Sequence, residues 1–293
     1  MTLRFSSVRP FPERASVMEG FLSGTLMRMN RWFLGLATAM AIALPAGAQT
    51  VDRLYVMDCG HNAATDQARW SPGVNTGKPI GLSDSCYLIR HGTQWLLWDT
   101  GYPDAIADKP MTNALGTATR AKKLVAQLAE IGVKPDDIAY VAVSHTHGDH
   151  VGNVDLFPAA TLLIQKAEVD WAFAEGKTPP FRKDRPMREL AGDLDIFGDG
   201  SAVILSTPGH TPGHQSLLVH LPSTGWVVLT GDAAHFKDNW DNDRVPSMNT
   251  SADQTHASHA RLATIVAAKK ALLWINHDQP TFESLKHSPA FYE

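Results

Sequence analysis

Residues 144–150 of this chain read SHTHGDH, and they follow directly on the apolar run IAYVAV at 138–143. The apolar run predicts a short buried strand, so the polar segment begins where that strand ends. The segment holds His145, His147, Asp149 and His150. Imidazole and carboxylate are the ligands that zinc-like metals prefer. We therefore predict a metal-binding loop at the end of a strand; the alternative is a histidine-rich surface loop.

Three further segments repeat this arrangement, because each places a histidine or aspartate just after an apolar run. They are TPGH at 207–210 after the run 202–206, TGD at 230–232 after 226–230, and NHD at 276–278 after 271–276. If these runs are neighbouring strands, their ends meet at one edge of a sheet. With 145–150, they supply enough ligands for two metal ions that share one bridging carboxylate.

The rest of the pattern predicts a layered α/β domain, because short apolar runs alternate with segments of helical spacing. The segment 175–200 is rich in glycine, proline and charge, and we predict a long surface excursion there. The other predicted strands are 53–58, 86–90, 94–98, 161–165 and 216–221, and the predicted helices are 119–131, 167–174 and 253–269.

Composition excludes several classes of protein. The chain has 293 residues, 44% of them hydrophobic, and a formal net charge of −4, which argues against a nucleic-acid binder that relies on neutralising phosphates. The chain has two cysteines, so it is neither a disulfide-dense scaffold nor a protein with a multi-cysteine metal site. Cys59 and Cys86 form either a disulfide or two buried thiols.

The first 48 residues are typical of a secretory signal peptide. An apolar run at 32–44 follows Arg28 and Arg31, and the small residues AGA at 46–48 come after it. The run is shorter than the ~20 residues needed to span a bilayer, so we expect no stable membrane anchor, the alternative reading of this run. A start at Met27 or Met29 would leave residues 1–26 as an artefact. We expect a periplasmic or secreted mature domain at 49–293.

The segments SHTHGDHVGN, STPGHTPGHQS, LTGDA and INHD together resemble the five-part motif of metallo-β-lactamase-fold hydrolases. TPGHTPGHQS, GDA and the late HD are most similar to the N-acyl homoserine lactonase branch, and the resemblance covers most of 53–280. It implies a single-domain α/β fold, the four-layer αβ/βα sandwich.

The resemblance also implies the metal ligands. The first metal would take His145, His147 and His210; the second would take Asp149, His150 and His277; Asp232 would bridge the two. Two divalent ions are expected, with zinc as the default. The resemblance makes His214 a residue that orients its loop or a ligand. The bridging Asp232 argues against the β-lactamases themselves, which lack it.

The expected function is that of a secreted metal-dependent hydrolase that opens the lactone ring of N-acyl homoserine lactones, which is quorum quenching. In this hypothesis a hydroxide that bridges the metals attacks the ester carbonyl, and Asp149 carries the proton to the leaving oxygen. The expected partner is a small lactone or ester. The alternatives on the same fold are a phosphotriesterase acting on organophosphates and a thioesterase.

The loop after the bridging aspartate departs from the family pattern, since His235 stands where lactonases of this family place a tyrosine. We predict that His235 orients the substrate carbonyl; the alternative is a surface residue. Phe236 and Trp240 either line an acyl-chain pocket or pin the loop to the core. The segment 70–79 (WSPGVNTGKP) is an ordinary turn-rich loop or a lid.

Six histidines belong to none of these motifs, and we predict that they are surface or hydrogen-bonded residues: His61, His91, His220, His256, His259 and His287. Of these, His256 and His259 are predicted to lie on a solvated helix face.

Overall fold

The secondary structure alternates strands and helices along the chain. A computed structural model of the protein describes residues 49–178 and 180–293, so the predicted signal peptide at 1–48 lies outside the described residues. The strands are β1 (Arg53–Ala64), β2 (Ile80–His91), β3 (Gln94–Trp98), β4 (Met111–Asn113), β5 (Gly116–Thr119), β6 (Ile138–Ala142), β7 (Thr161–Gln165), β8 (Met187–Leu190), β9 (Leu194–Asp195), β10 (Ala202–Ser206), β11 (Gln215–Leu221), β12 (Gly225–Leu229) and β13 (Leu272–Trp274). The α-helices are α1 (Leu124–Glu130), α2 (Gly148–Val151), α3 (Lys166–Ala172), α4 (Lys237–Asp241), α5 (Ala252–Lys269) and α6 (Gln279–Ser284). Short 3-10 helices cover Gln67–Arg69, Asp104–Ala107, Pro135–Asp137, Val154–Leu156 and Gly231–Ala233.

The strands form two sheets over the described residues. The first has eight strands in the order β4-β5-β1-β2-β3-β6-β7-β8, and the second has five in the order β13-β12-β11-β10-β9. Strands β3, β6, β7 and β8 pair in parallel, whereas β1 to β3 pair antiparallel. The strands predicted at 86–90 and 94–98 therefore form an antiparallel hairpin.

Alternating side chains along the strands divide the core into layers. One cluster of buried residues lies between the sheets and joins Val56 and Leu96 to Leu217 and Leu229. Two others cover the outer faces. Leu124 and Leu128 of α1 pack on the first sheet, and Leu262 of α5 packs on the second. The four-layer αβ/βα sandwich expected from the sequence is confirmed. Among the described residues, no helix combines the length and the apolar character required to cross a bilayer.

Two regions differ from the expectation. The segment 175–200 is not only a surface excursion, because β8 and β9 within it extend one edge of each sheet. Helix α1 begins at Leu124 rather than at 119, since the residues up to Thr119 pair with β1. The Asp104 carboxylate accepts a 2.7 Å hydrogen bond from the Leu124 N–H and so caps the helix from a distant loop.

Cys59 and Cys86 form a disulfide between β1 and β2, with their Cα atoms 5.7 Å apart. Both residues are fully buried. Cys59 lies at an irregularity of β1, because the register with β2 shifts between Asp58 and Gly60. A cross-link at this position holds the irregular part of β1 against its neighbour.

Reduction of the disulfide is expected to lower the free energy of unfolding by about 3.5 kcal/mol. The two cysteines are 27 residues apart, and a cross-link of that span restricts the unfolded chain by roughly this amount. Urea unfolding with and without reductant measures the effect. The double variant Cys59→Ala/Cys86→Ala is the control, and its urea midpoint should be the same with and without reductant. An unchanged urea midpoint after thiol titration has verified reduction would contradict the expectation.

Candidate metal centre

The predicted ligands lie in loops that follow four strands. His145 follows β6, His210 follows β10, Asp232 follows β12 and His277 follows β13. Their donor atoms, with those of the other predicted ligands, form clusters in which all atoms lie within 4.8 Å of one another. The convergence expected from the strand-end pattern is therefore present in the folded chain.

Three histidines form the first group of donors. His145 Nε2 lies 2.9 Å from His147 Nδ1, and His210 Nε2 lies 3.0 Å from the same atom. Asp232 Oδ2 is 3.2 Å from His210 Nε2 and 3.7 Å from His145 Nε2. Three ring nitrogens and one carboxylate oxygen thus face a common point, as a tetrahedral metal site requires.

The second group lies on the other side of Asp232. Asp232 Oδ1 is 3.0 Å from His277 Nε2 and 3.3 Å from His150 Nε2. Asp149, His150 and His277 also form one cluster of donor atoms. The two oxygens of Asp232 therefore face different histidine groups, which is the position of a bridging carboxylate.

In three of these histidines, Nδ1 makes a hydrogen bond outside the cluster of donor atoms. When such an imidazole is neutral, its Nε2 atom, which faces the cluster, carries no proton. His150 Nδ1 donates to Asp99 at 3.0 Å, His277 Nδ1 donates to the Ser83 carbonyl at 2.7 Å, and His210 Nδ1 donates to Asn249 at 2.8 Å. A neutral imidazole has one N–H, so each Nε2 then carries a lone pair. Partners of this kind orient histidine ligands in metal sites.

Asp99 ties the second group to the sheet. Its carboxylate accepts hydrogen bonds from the Ser144 N–H at 2.6 Å and from His150, and its own N–H donates to the Ala142 carbonyl at 2.8 Å. Asp99 comes directly after β3, which pairs with β6. The loop before His145 is thus held by the neighbouring strand.

The residues present fit a pair of divalent cations. His150 Nε2 and Asp232 Oδ1 are buried without a hydrogen-bond partner in the part of the chain that the structure describes. Burial and the neighbouring His210 lower the pKa of His147 to about 3, so that ring stays neutral at pH 7. Burial opposes a charge on His277, but the Asp232 carboxylate raises the pKa of His277 to about 9. The negative charge of Asp232 therefore attracts a cation to this position.

A family model described as the Metallo-beta-lactamase superfamily matches residues 80–272. The chain belongs to the metallo-beta-lactamase superfamily. An N-acyl homoserine lactonase, AttM, of Rhizobium radiobacter is 35% identical over 269 residues, which is 82% of this chain and 98% of that protein. An N-acyl homoserine lactonase of Bacillus thuringiensis is 30% identical over 254 residues, which is 83% of this chain and 99% of that protein.

Solved structures agree with the sequence relatives. An N-acyl homoserine lactone hydrolase, solved with its product N-hexanoyl-L-homoserine at the catalytic metal center, is 27% identical with a TM-score of 0.74. The match covers 83% of this chain and all (100%) of that chain. The chain is thus a metal-dependent hydrolase of the metallo-beta-lactamase superfamily that resembles the N-acyl homoserine lactonases. The resemblance expected from the sequence is confirmed.

A cavity of about 370 Å³ opens beside the candidate metal ligands. His147, Asp149, His210, Asp232 and His277 contribute to its wall. Most of the remaining wall is apolar and comes from Trp70, Leu82, Tyr102, Met111, Leu115 and Met248. A largely apolar cavity of this size, with polar groups on one side, suits a small organic ligand.

His235 lies in this cavity and contacts the bridging carboxylate. Its Nε2 is 3.1 Å from Asp232 Oδ2, and its Nδ1 is buried without a partner among the described residues. Burial lowers the pKa of His235 to about 4, so the ring is neutral and has one N–H. That N–H can serve either Asp232 or a ligand. The geometry therefore agrees with the prediction that His235 lies in the site, and it disagrees with the alternative of a surface residue.

Phe236 and Trp240 lie elsewhere. Neither is among the cavity-lining residues of the described chain. Phe236 packs behind the wall in a cluster with Ala64, Trp70 and Leu82, while Trp240 packs on the α5 side of the second sheet. These contacts favour the alternative in which Phe236 and Trp240 pin the loop to the core. Of the segment 70–79, Trp70 lines the cavity.

Two further histidines near the site hold its loops. His214 Nε2 accepts the backbone N–H of Asp232 at 2.9 Å, and its Nδ1 donates to the Thr207 carbonyl at 3.0 Å. This is the orienting position expected for His214. His259 does not lie on a solvated face, because it is buried, contacts Asp243 at 2.6 Å and donates to the Ala233 carbonyl. His256 on the same helix is exposed and also contacts Asp243.

Glu168 is a residue that sequence reasoning missed. Its Oε1 accepts hydrogen bonds from the backbone and hydroxyl of Thr146 at 2.8 and 2.7 Å. Its Oε2 accepts from the Thr211 hydroxyl at 2.7 Å and from the Gly213 N–H at 3.0 Å. One buried carboxylate therefore joins the two loops that carry the first histidine group. The sequence carries little signal for this role, because Glu168 lies within helix α3, three residues after β7, and belongs to no motif.

Metal binding is expected to release at least one proton per protein chain at pH 7. His277, with its pKa of about 9, is protonated in the metal-free protein and must lose that proton to ligate. Affinity should therefore rise about tenfold per pH unit for this proton as pH increases towards 9. Calorimetric zinc titrations in buffers of different ionisation enthalpy count the protons. His61→Gln, outside the site, is the matched control; a heat independent of the buffer would contradict the expectation.

Proposed function

We propose that this chain hydrolyses the lactone ring of N-acyl homoserine lactones with two divalent metal ions, and that zinc is the metal. The observation that carries the proposal is Asp232, whose two oxygens face the two histidine groups. The relatives named as N-acyl homoserine lactonases, which match over nearly their whole length, supply the substrate class.

The cavity agrees in chemistry with such a substrate. An N-acyl homoserine lactone has a polar ring and an alkyl chain. The metal ligands would face the ring, and the apolar wall that includes Trp70, Met111 and Leu115 would cover the chain. Apolar surface that leaves water on binding contributes roughly 25 cal/mol per Å².

The two metal ions, when bound, supply the positive charge that polarises an ester carbonyl and activates water. The chain's own residues supply the proton transfer. Burial favours the neutral form of Asp149, but His150 and His277 lower its pKa below the usual range. Asp149 is therefore ionised at neutral pH and can take a proton and deliver it to the leaving alcohol.

Tyr102 and His235 add hydrogen-bond donors to the cavity. Burial and the nearby charge of Asp149 raise the pKa of Tyr102, so its phenol keeps its proton and can donate. Tyr102 was not among the sequence candidates. Its main chain is fixed because its carbonyl accepts from Arg120 at 2.5 Å and from Asn153 at 2.8 Å. Fixed neutral donors suit the stabilisation of a developing negative charge.

Export of the mature domain is part of the proposal. The apolar run at 32–44 and the small residues at 46–48 are typical of a cleaved leader. The Cys59–Cys86 disulfide supports the same conclusion, since structural disulfides persist in oxidising compartments. Fractionation of the native host, followed by detection of the protein in periplasm or medium, tests it; recovery in the cytoplasm alone would contradict it.

The decisive test is pH-stat hydrolysis of N-hexanoyl homoserine lactone by zinc-loaded mature protein. We expect proton release that depends on two bound metals and is lost in the control His210→Ala. An aryl phosphotriester and a thioester are run beside the lactone. Turnover of either, without lactone turnover, would keep the metal centre and overturn the substrate.

Asp149→Asn is expected to lower kcat on the lactone by about 10²- to 10⁴-fold, because general acid–base catalysis contributes on that order. The amide cannot take up a proton at neutral pH. Metal content is measured in the same samples, to separate proton transfer from ligand loss. Asp170→Asn, an exposed aspartate paired with Lys166, is the matched control. Undiminished turnover with both metals retained would exclude proton transfer by Asp149.

A further inference from the structure

Asn62 is a polar residue in an otherwise apolar row of the cavity wall. Asn62 lies on β1, and its cross-strand partners are Leu82 of β2 on one side and Ala118 of β5 on the other. Cross-strand partners point to the same face of a sheet, and all three residues line the cavity. The row therefore presents one carboxamide between two apolar side chains.

The carboxamide of Asn62 has unused hydrogen-bonding capacity. The residue is only 8% exposed, and its Oδ1 is buried without a hydrogen-bond partner among the described residues. Most buried polar atoms in native proteins are paired. An unpaired amide at the wall of a substrate cavity is expected to find its partner in the ligand.

Other polar side chains of the wall differ from Asn62 in this respect. The Ser83 hydroxyl donates to the Asn276 carbonyl at 3.0 Å, and Asn113 Oδ1 accepts from the Leu115 N–H at 2.8 Å. Gly116 permits this position of Asn62, because a Cβ at Gly116 would lie 2.6 Å from Asn62 Oδ1 and 2.3 Å from the Ala63 carbonyl oxygen. Asn62 thus lines the cavity with a carboxamide whose acceptor has no partner among the described residues.

We propose that Asn62 binds the amide of the N-acyl group and makes the enzyme prefer N-acyl lactones to lactones without an amide. The inference rests on the proposed function and adds the residue that recognises the substrate class. A carboxamide has both a donor and an acceptor, and a secondary amide needs one of each. Only an N-acyl lactone would gain these hydrogen bonds, because an amide-free lactone leaves the carboxamide of Asn62 unpaired as it is in the free protein.

The test compares kcat/KM for N-hexanoyl homoserine lactone with that for γ-decalactone, an amide-free lactone, using zinc-loaded protein. Asn62→Ala is expected to lower the ratio of the two values by about tenfold or more, as loss of a buried amide partner does. Asn62→Asp keeps the size of the side chain but removes its N–H donors, and it should also lower the ratio. Asn242→Ala, the same truncation at an exposed asparagine that is not a cavity-lining residue, is the matched control and should leave the ratio near the wild-type value.

The outcomes separate this inference from the proposed function. If the wild-type protein hydrolyses the acyl homoserine lactone and folded, metal-loaded Asn62 variants keep the wild-type ratio, the inference fails alone. Equal losses on both substrates also overturn it, because they indicate a structural role. If the fully metallated wild-type protein hydrolyses neither lactone, the proposed function fails, and this inference fails with it.

Discussion

Asp232→Asn is expected to lower kcat/KM for the lactone by at least about 10³-fold and to leave fewer than two metals per chain. Asp232 is the residue whose two oxygens lie 3.2 Å from His210 Nε2 and 3.0 Å from His277 Nε2. Asparagine has one oxygen and no charge, so it can neither bridge the two groups nor balance the cations. A lost metal removes several kcal/mol of charge stabilisation, and each 1.36 kcal/mol is a factor of ten in rate.

Metal analysis and steady-state kinetics on the same preparation measure this effect. Asp241→Asn is the matched control, since Asp241 lies in the following helix α4, is exposed and pairs with Lys237. We expect that control to keep two metals and full activity. An asparagine variant of Asp232 that retained both metals and wild-type turnover would remove the basis for a bridging carboxylate.

Glu168→Ala is expected to lower the free energy of unfolding by about 4 kcal/mol or more. The substitution leaves four donors of Thr146, Thr211 and Gly213 without their acceptor, and each buried unsatisfied group costs about 1–3 kcal/mol. Metal affinity should fall as well, because the loops bearing His145 and His210 are no longer joined. Urea unfolding of the metal-free protein isolates the stability effect.

Two further variants serve as references for the stability loss of Glu168→Ala. Glu168→Gln keeps one acceptor oxygen and should lose roughly half as much stability as the alanine variant. Glu130→Ala removes an exposed glutamate that pairs with Lys122, and it should change stability by less than about 1 kcal/mol. If Glu168→Ala unfolds at the same urea concentration as the wild type, the carboxylate does not hold the loops together.

The backbone near Glu168 shows why its site tolerates little change. A Cβ at Gly213 would lie 2.2 Å from the Glu168 nitrogen, so helix α3 and the loop after His210 touch through glycine. The second PGH of STPGHTPGHQS therefore has a packing role in addition to carrying His214. That role follows from the approach of two segments far apart in the chain.

Local patterns predicted the fold class and placed candidate metal ligands at strand ends. His145, Asp149 and His210 stand just after apolar runs, and strand ends bring such residues to one edge. Metal ligands must be a few residue types at few spacings, so their chemistry is visible in the chain itself. The bridging position of Asp232 was implied by the resemblance to metallo-β-lactamase-fold hydrolases, and its place after β12 agrees with that expectation.

Residues whose roles depend on distant partners were not visible in that way. Glu168 and Tyr102 have no motif of their own, and β8 and β9 were taken for loop because they are short edge strands. Phe236 and Trp240 were recognisable as apolar, but which surface they face depends on how the loop after Asp232 folds.

The sequence by itself determined which atoms can bind metal, since ligand type and strand-end position are local properties. Only the tertiary structure decided what surrounds them: the carboxylate that joins the loops, the Cys59–Cys86 bond and the free carboxamide of Asn62. The physical reason is that hydrogen bonding and packing depend on pairs of residues far apart in the chain. Their approach is set by the balance of the whole fold rather than by any one segment.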